Sequence, residues 1–271
     1  CNGYGGNLDM VRQHIPEMAA AEYFGHPGNQ GHAVQWGTSL GAAIKHMGAY
    51  QGHGSVATPH GILITWALMM EGGIQVNCFG KRFSNEHRGY SEQAVDVLSQ
   101  PNQVAWLLID DRLLTLGREF EEFKLAEAAG AVRHGSSVED LSRKTGIPSP
   151  PLEATLRHVI AYTNGKQLDP HGRDFTFQAP LVPPFHAIKV TGALFHTQGG
   201  LEVDAHARVL RTDKSPLPNL YAGGGAACGI SGSQVWGYLS GNGLLTAVNL
   251  GRLAGRTAAK QIEVEGNKYV D

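Results

Sequence analysis

Leu220-Tyr221-Ala222-Gly223-Gly224-Gly225-Ala226 and Ser240-Gly241-Asn242-Gly243-Leu244-Leu245 are the two stretches that decide how this chain is read. The first runs a short apolar strand straight into three glycines. The second sets a glycine turn at the head of a long apolar helix that continues through NLGRLAGRTAAKQI. A helix N-terminus presents unpaired N–H groups and the positive end of its dipole, which suits a phosphate, a carboxylate or an electron-rich ring oxygen. Glycine removes the Cβ, so backbone or ligand can approach closely. Either loop alone is ordinary punctuation of an αβ chain. Two so close together mark a site for a large flat or phosphorylated ligand.

Composition supports that emphasis. Glycine supplies 36 of 271 residues, well above the usual share of about 7%, with no collagen-like period. Lys+Arg 22 against Asp+Glu 24 gives a formal charge of −2, which excludes the basic excess of a nucleic-acid binder. Three scattered cysteines, Cys1, Cys78 and Cys228, form no disulfide framework and point to a reducing, cytoplasmic compartment. The longest apolar stretch, Ile62 to Met70, contains Thr65 and is far too short to span a bilayer. No signal-peptide pattern opens the chain. Its first residues, CNGYGGN, read as a loop whose preceding element is missing, so the chain is expected to be part of a longer protein.

Patterning predicts a mixed αβ fold of the α+β type. A helix is expected over Leu8 to Ala21, interrupted at Pro16. AVQWGTSLGAAIKHMGAY reads as a closely packed helix, and GIQVNCFGKRF as a hairpin turning at Gly80. The middle carries most of the charge and several helices: Ser91 to Ser99, GREFEEFKLAEAAG, SVEDLSRKTGIP opened by Ser137 and closed by Gly146, and PPLEATLRHVIAYTNG. LEVDAHARVL alternates as a strand. Three segments follow: 1–72 and 179–271 as the two parts of one glycine-rich domain, and 73–178 as an inserted cap. Charged GREFEEFK is a solvated helix face, and Cys228 a small packing residue. His53 and His60 fit no standard metal spacing, so no metal site is expected.

Beyond these patterns, the chain resembles the succinate dehydrogenase/fumarate reductase flavoprotein superfamily over nearly its whole length. LYAGGGAACGISG and GNGLLTAVNLGRLAG are similar to the family's LYAAGE, GG and GNAL elements, and CNGYGGN to its ATGG loop. GNQGH resembles its GDG turn, GKRFSNE its GxRFxNE, and HTQGGLEVD its HTMGGxxxD. The resemblance implies FAD as cofactor and oxidoreduction of a CH–CH group. It implies cofactor contacts from Gly5 and Gly6 and from Gly224 and Gly225. The last loop would add Ser240, Gly241, Asn242, Gly243 and Leu244. The family's N-terminal GxGxxG unit is absent, so the chain is expected to hold a partial FAD-binding domain, with FAD held by the full-length protein.

Departures from the pattern narrow the chemistry. Fumarate reductases carry an Arg four residues after the Glu of RFxNE, where this chain has Tyr90. A second substrate Arg is matched by Val235, the acid after LYAAG by Gly225, and the acid of GDG by His32. Without those arginines a dicarboxylate lacks its clamps. Tyr90 and Tyr238-Leu239-Ser240-Gly241 instead resemble the 3-ketosteroid dehydrogenase branch. That likeness implies desaturation next to a carbonyl of a small molecule, a ketosteroid or another enone or ketone. Tyr238 would polarise the carbonyl with Ser240 in support, and Tyr90 would exchange the proton. His196 sits where fumarate reductases keep a substrate histidine. Reduction of an unsaturated acid, or a non-catalytic module, are the rival expectations.

Overall fold

A computed structural model describes residues 3–266 of the chain, with side chains to 262; Cys1 and Asn2 of the first glycine stretch lie outside it. In chain order the helices are α1 (Leu8–His14), α2 (His32–Ser39), α3 (Ala67–Met70), α4 (Tyr90–Leu98), α5 (Asp111–Gly117), α6 (Glu121–Ala128), α7 (Val138–Thr145), α8 (Ser149–Thr163) and α9 (Asn242–Gly266). The strands are β1 (Glu22–Tyr23), β2 (Ile44–Lys45), β3 (Tyr50–Ala57), β4 (Ile62–Leu63), β5 (Ile74–Val76) and β6 (Val104–Asp110). They continue with β7 (Val132–Gly135), β8 (Phe185–Thr197), β9 (Gly200–Leu201), β10 (Arg208–Leu210) and β11 (Pro216–Tyr221). This is the mixed αβ fold the patterning predicts. No described helix is long and apolar enough to cross a membrane.

Local chemistry explains where elements stop. Ser137 accepts from the Asp140 N–H at 3.2 Å, and Gly146 closes α7 at φ +78°. The expected helix through AVQWGTSLGAAIKHMGAY ends instead at Ser39, because Gly41 turns the chain at φ +85° and Ile44–Lys45 pair as a strand with β9. GREFEEFKLAEAAG is not one helix either. Asp110 caps α5 through the Leu113 N–H at 3.1 Å, and a Cβ on Gly117 would sit 2.9 Å from the Phe123 ring, so the chain breaks there and restarts as α6. Gly80 does turn the expected hairpin, at φ +73°, yet only its first arm is a strand, and that arm pairs with β6. LEVDAHARVL is likewise interrupted: Asp204 accepts from the His206 and Arg208 N–H groups at 2.8 and 3.0 Å and folds the middle into a turn.

The chain divides into two compact units. One comprises residues 1–19, 23–51 and 194–271; the other comprises 20–22 and 52–193. The divisions fall inside β3 and β8, at 51/52 and 193/194, rather than at the expected 72/73 and 178/179. Charge density marks the helices of the second unit but not the apolar strands that carry them. There β6 and β7 both pair antiparallel with β8, with Leu107 and Val132 each opposite Ile188. Ile74, Leu107, Leu108, Phe123, Leu152 and Ile188 lie in one buried core beneath α5 to α8. The first unit has its own smaller core of Ala33, Leu201, Val209, Leu217, Ala226 and Ala227.

The second unit also buries four charges. Arg82 bonds Glu86 and Asp169, each at 2.6 Å, and Arg173 bonds Glu86 at 3.1 Å, with all four side chains at most 5% exposed. The Phe175 ring lies 4.8 Å from the Arg82 guanidinium and 4.3 Å from that of Arg173. Two cations and two anions balance, which is what allows burial. Burial pushes the Glu86 carboxyl up, but Arg82 and Arg173 outweigh it and hold it at about 2. The Arg and Glu of GKRFSNE therefore anchor this unit's interior.

Candidate functional site

In the first unit the glycine stretches converge. A cleft of about 290 Å³ is walled by Gly3, Gly5, Gly224, Gly225, Gly229 and Gly243. That volume stands at the lower edge of the roughly 300–1,000 Å³ typical of small-molecule sites. Leu244, Thr246 and Ala247 from the first turns of α9 line it too, so a helix N-terminus borders the cleft as the sequence suggests. Several of these glycines are sterically required. A Cβ on Gly5 would stand 2.5 Å from the Tyr23 ring, and one on Gly243 3.1 Å from His196 Cε1. Gly224 and Gly241 take φ of +57° and +80°, conformations that side chains disfavour. Among the described residues, no lysine, arginine or carboxylate lines the cleft.

Of the residues expected to hold a cofactor, Gly5, Gly224, Gly225, Gly243 and Leu244 line this cleft. Gly6 lies behind it, bonded through its N–H to the Asn29 carbonyl at 2.9 Å. Gly241 and Asn242 form the turn into α9. The Asn242 Oδ1 is buried and, among the described residues, has no hydrogen-bond partner, while its amide nitrogen donates to Ser231. Ser240 is exposed and, among the described residues, makes no hydrogen bond to Tyr238 or His196. Residues that sequence reasoning did not single out include Tyr23, Asn29, Thr197 and Gln198. Asn29 donates to the Tyr23 hydroxyl at 2.7 Å and so steadies that wall. Asn29 and Gln198 both sit inside motifs already quoted, GNQGH and HTQGG.

His196 and Tyr238 come together. The His196 Nε2 lies 3.3 Å from the Tyr238 hydroxyl, and the rings meet edge to face at 5.8 Å and 70°. Tyr238 donates to Gln51 Oε1 at 3.0 Å, and the Gln198 amide nitrogen lies 3.1 Å from His196 Nδ1. Burial pushes the His196 imidazole below the usual histidine range, so the ring is neutral at neutral pH. Val235, the position of the missing arginine, is buried at 3% exposure. The whole cluster thus offers hydrogen bonds and no charge.

Tyr90 belongs to the second unit. It opens α4, stacks on His53 at 5.1 Å and 22°, and meets Trp66 edge-on at 6.3 Å and 70°. Burial holds the His53 imidazole down at about 3, so this histidine is neutral at neutral pH. Among the described residues, no group of three or more His, Cys, Asp or Glu side chains is placed to hold a metal ion.

Comparison with known proteins matches this geometry to a family. The family described as FAD binding domain matches residues 1–244. A cytochrome-linked fumarate reductase of Shewanella frigidimarina is 29% identical over 264 residues, covering 95% of this chain and 44% of the relative. The open conformation of a flavocytochrome c3 fumarate reductase superimposes with a TM-score of 0.74 at 27% identity, covering 96% of this chain and 45% of that one. A 3-ketosteroid-delta4-(5alpha)-dehydrogenase from Rhodococcus jostii RHA1, in complex with 4-androstene-3,17-dione, gives 0.69 at 25% identity, covering 95% and 51%. The chain therefore spans about half the length of these relatives. A cleft walled by glycine and headed by a helix N-terminus, together with the match over residues 1–244, places this chain in the FAD-binding domain family of the fumarate reductase and ketosteroid dehydrogenase flavoproteins.

Proposed function

We propose that the chain carries the carbonyl-recognising part of an FAD-dependent oxidoreductase that desaturates a C–C bond next to a ketone. The observation that carries this reading is the uncharged hydrogen-bonding set of Tyr238, His196, Gln51 and Gln198, with Val235 where an arginine would clamp a carboxylate. A ketone oxygen is well served by a phenol hydroxyl, whereas a dicarboxylate brought against neutral groups would lose its hydration without a counter-charge.

The residues present fit FAD. Gly5, Gly224, Gly225, Gly243 and Leu244 line an uncharged cleft that side chains would fill, and the turn Ser240-Gly241-Asn242 leads into the helix beside it. Bound there, FAD supplies the two-electron acceptor or donor. The chain's own residues do the rest: Tyr238 donates a hydrogen bond to the ketone oxygen and Ser240 supports the same loop. The resemblance gives Tyr90 the exchange of the proton on the carbon next to the carbonyl, and loss of one proton and one hydride leaves the C=C bond. His196 holds Tyr238 in place.

The likeness to fumarate reductases favours a second reading, reduction of an unsaturated acid. Anaerobic spectra of the FAD-loaded protein separate the two. Bleaching of the flavin band by a saturated cyclic ketone or 3-ketosteroid supports the proposal. No bleaching by ketones, with rapid reoxidation of the reduced flavin by fumarate or acrylate, replaces it with the second reading.

A further inference from the structure

Within the HTQGG stretch, Gln198 stands where the family form HTMGG has methionine, and its amide reaches His196. We propose that Gln198 is a positioning residue that fixes the direction of the hydrogen-bond chain Gln198–His196–Tyr238–Gln51, holding His196 as its Nε2–H tautomer. The consequence for catalysis rests on the carbonyl-polarising role of Tyr238; the tautomer itself does not.

An amide nitrogen donates and does not accept. With Gln198 Nε2 at 3.1 Å, His196 Nδ1 must be the acceptor. The Thr197 carbonyl is the competing partner, since it would ask Nδ1 to donate, but it lies at 3.5 Å. The shorter contact wins. A neutral ring accepting at Nδ1 carries its proton on Nε2, which then donates to the Tyr238 oxygen at 3.3 Å. The Tyr238 proton is thereby directed away from the histidine and onto Gln51 Oε1 at 3.0 Å. That amide oxygen is the same kind of acceptor as a ketone oxygen. A hydroxyl that accepts one hydrogen bond donates another more strongly, so the chain primes Tyr238 to polarise a carbonyl.

The Gln198 side chain is itself held. It is 5% exposed, and its backbone N–H donates to the Ala49 carbonyl at 2.7 Å. A Cβ on residue 229 would stand 2.1 Å from Gln198 Oε1, so Gly229 leaves the room that the amide oxygen occupies. Methionine at 198 would supply no donor, and the tautomer would then be undirected.

Histidine NMR on FAD-loaded, nitrogen-labelled protein tests this directly, with the His196 signals assigned by their loss in His196→Gln. The expected wild-type pattern is a protonated Nε2 and a bare Nδ1. In Gln198→Glu the carboxylate accepts rather than donates. The proton should move to Nδ1, or the ring become doubly protonated with a raised pKa, and the Tyr238 hydroxyl should turn to His196. Turnover should then fall in kcat with KM little changed, by no more than the roughly 10²-fold loss that marks removal of an acid–base group. Gln198→Met should give mixed tautomers. A wild-type ring protonated at Nδ1 overturns the proposal, as does an unchanged tautomer in a folded Gln198→Glu. If Gln198→Glu fails to fold, the wild-type spectrum alone decides. Inactivity with every ketone alongside the expected tautomer would sink the functional reading and leave this inference standing.

Discussion

Tyr238 and Gln51 stand 3.0 Å apart, hydroxyl to amide oxygen, with the tyrosine giving its proton. A substrate carbonyl that takes that proton must displace Gln51 as acceptor. Tyr238→Phe removes the donor while keeping the ring against His196, so it should cost on the order of 10²–10⁴-fold in kcat. FAD content should stay at the wild-type level, because the hydroxyl is not asked to hold the cofactor. Stopped-flow flavin reduction with a reactive ketone reads the first outcome and the visible spectrum reads the second. Wild-type kcat in Tyr238→Phe would remove the phenol from the mechanism.

In the proposed reading the glycine wall retains the cofactor. Gly5→Ala would place a methyl 2.5 Å from the Tyr23 ring, whose hydroxyl is tied to Asn29 at 2.7 Å and cannot swing freely. Overpacking of this kind costs about 1–3 kcal/mol. Here it should appear as reduced FAD occupancy after desalting, with Gly251→Ala, whose added methyl would meet nothing within 4 Å, as the comparison. Full flavin loading of Gly5→Ala would show that this wall does not face the cofactor.

Glu86 ties the interior of the second unit together. Glu86→Ala would leave Arg173 and much of Arg82 as buried cations without their anion. Removing one partner of a buried pair costs about 3–5 kcal/mol, to be read as a drop in denaturation midpoint of the whole chain. The sign of the pH dependence also follows. The native carboxyl lies at about 2, below its ordinary 4.5, so its contribution is present above about 4.5 and is lost as pH falls toward 2. An unchanged midpoint in Glu86→Ala would show that the cluster contributes no net stability.

Legibility in the sequence followed local chemistry. Ser137 and Gly146 bounded α7, Pro16 ended α1, and the glycine turn at 241–243 opened α9, because caps and breakers act within a few residues. The strand VAWLLID, residues 104–110, carries no alternation, since its partners bury it, and it went unrecognised for that reason. At the site, His196 and Tyr238 were marked by motif. Gln51 was not, because its role comes from a contact with Tyr238 187 positions away; Gln198 and Tyr23 bond neighbours two and six positions off, and their residue types alone do not mark those contacts. Arg173 and Asp169 escaped notice in the same way: each looks like an ordinary loop charge until Arg82 and Glu86 are placed beside it.

His53 gives the second unit a further acid sensitivity of its own. Its ring is 6% exposed, stacked on Tyr90 and edge-on to Trp66, and its Nδ1 accepts the Ser55 N–H at 3.2 Å. Burial lowers the native imidazole from 6.5 to about 3. Below 6.5 the unfolded chain therefore binds a proton that the folded chain refuses, and stability falls continuously as pH drops from 6.5 toward about 3. At pH 5 the cost should reach about 2 kcal/mol, from roughly 1.4 kcal/mol per pH unit over that interval. The fully buried ring needs no allowance for solvent screening. His53→Phe keeps an aromatic ring against Tyr90 and Trp66 and removes the titration. Its unfolding free energy should change less between pH 7 and pH 5 than that of the wild type, by about 2 kcal/mol. Urea melts of the whole chain at the two pH values, in wild type and variant, provide the comparison. Equal slopes in the two proteins would mean that the buried ring is protonated in the folded state and that the packing around Tyr90 tolerates a cation.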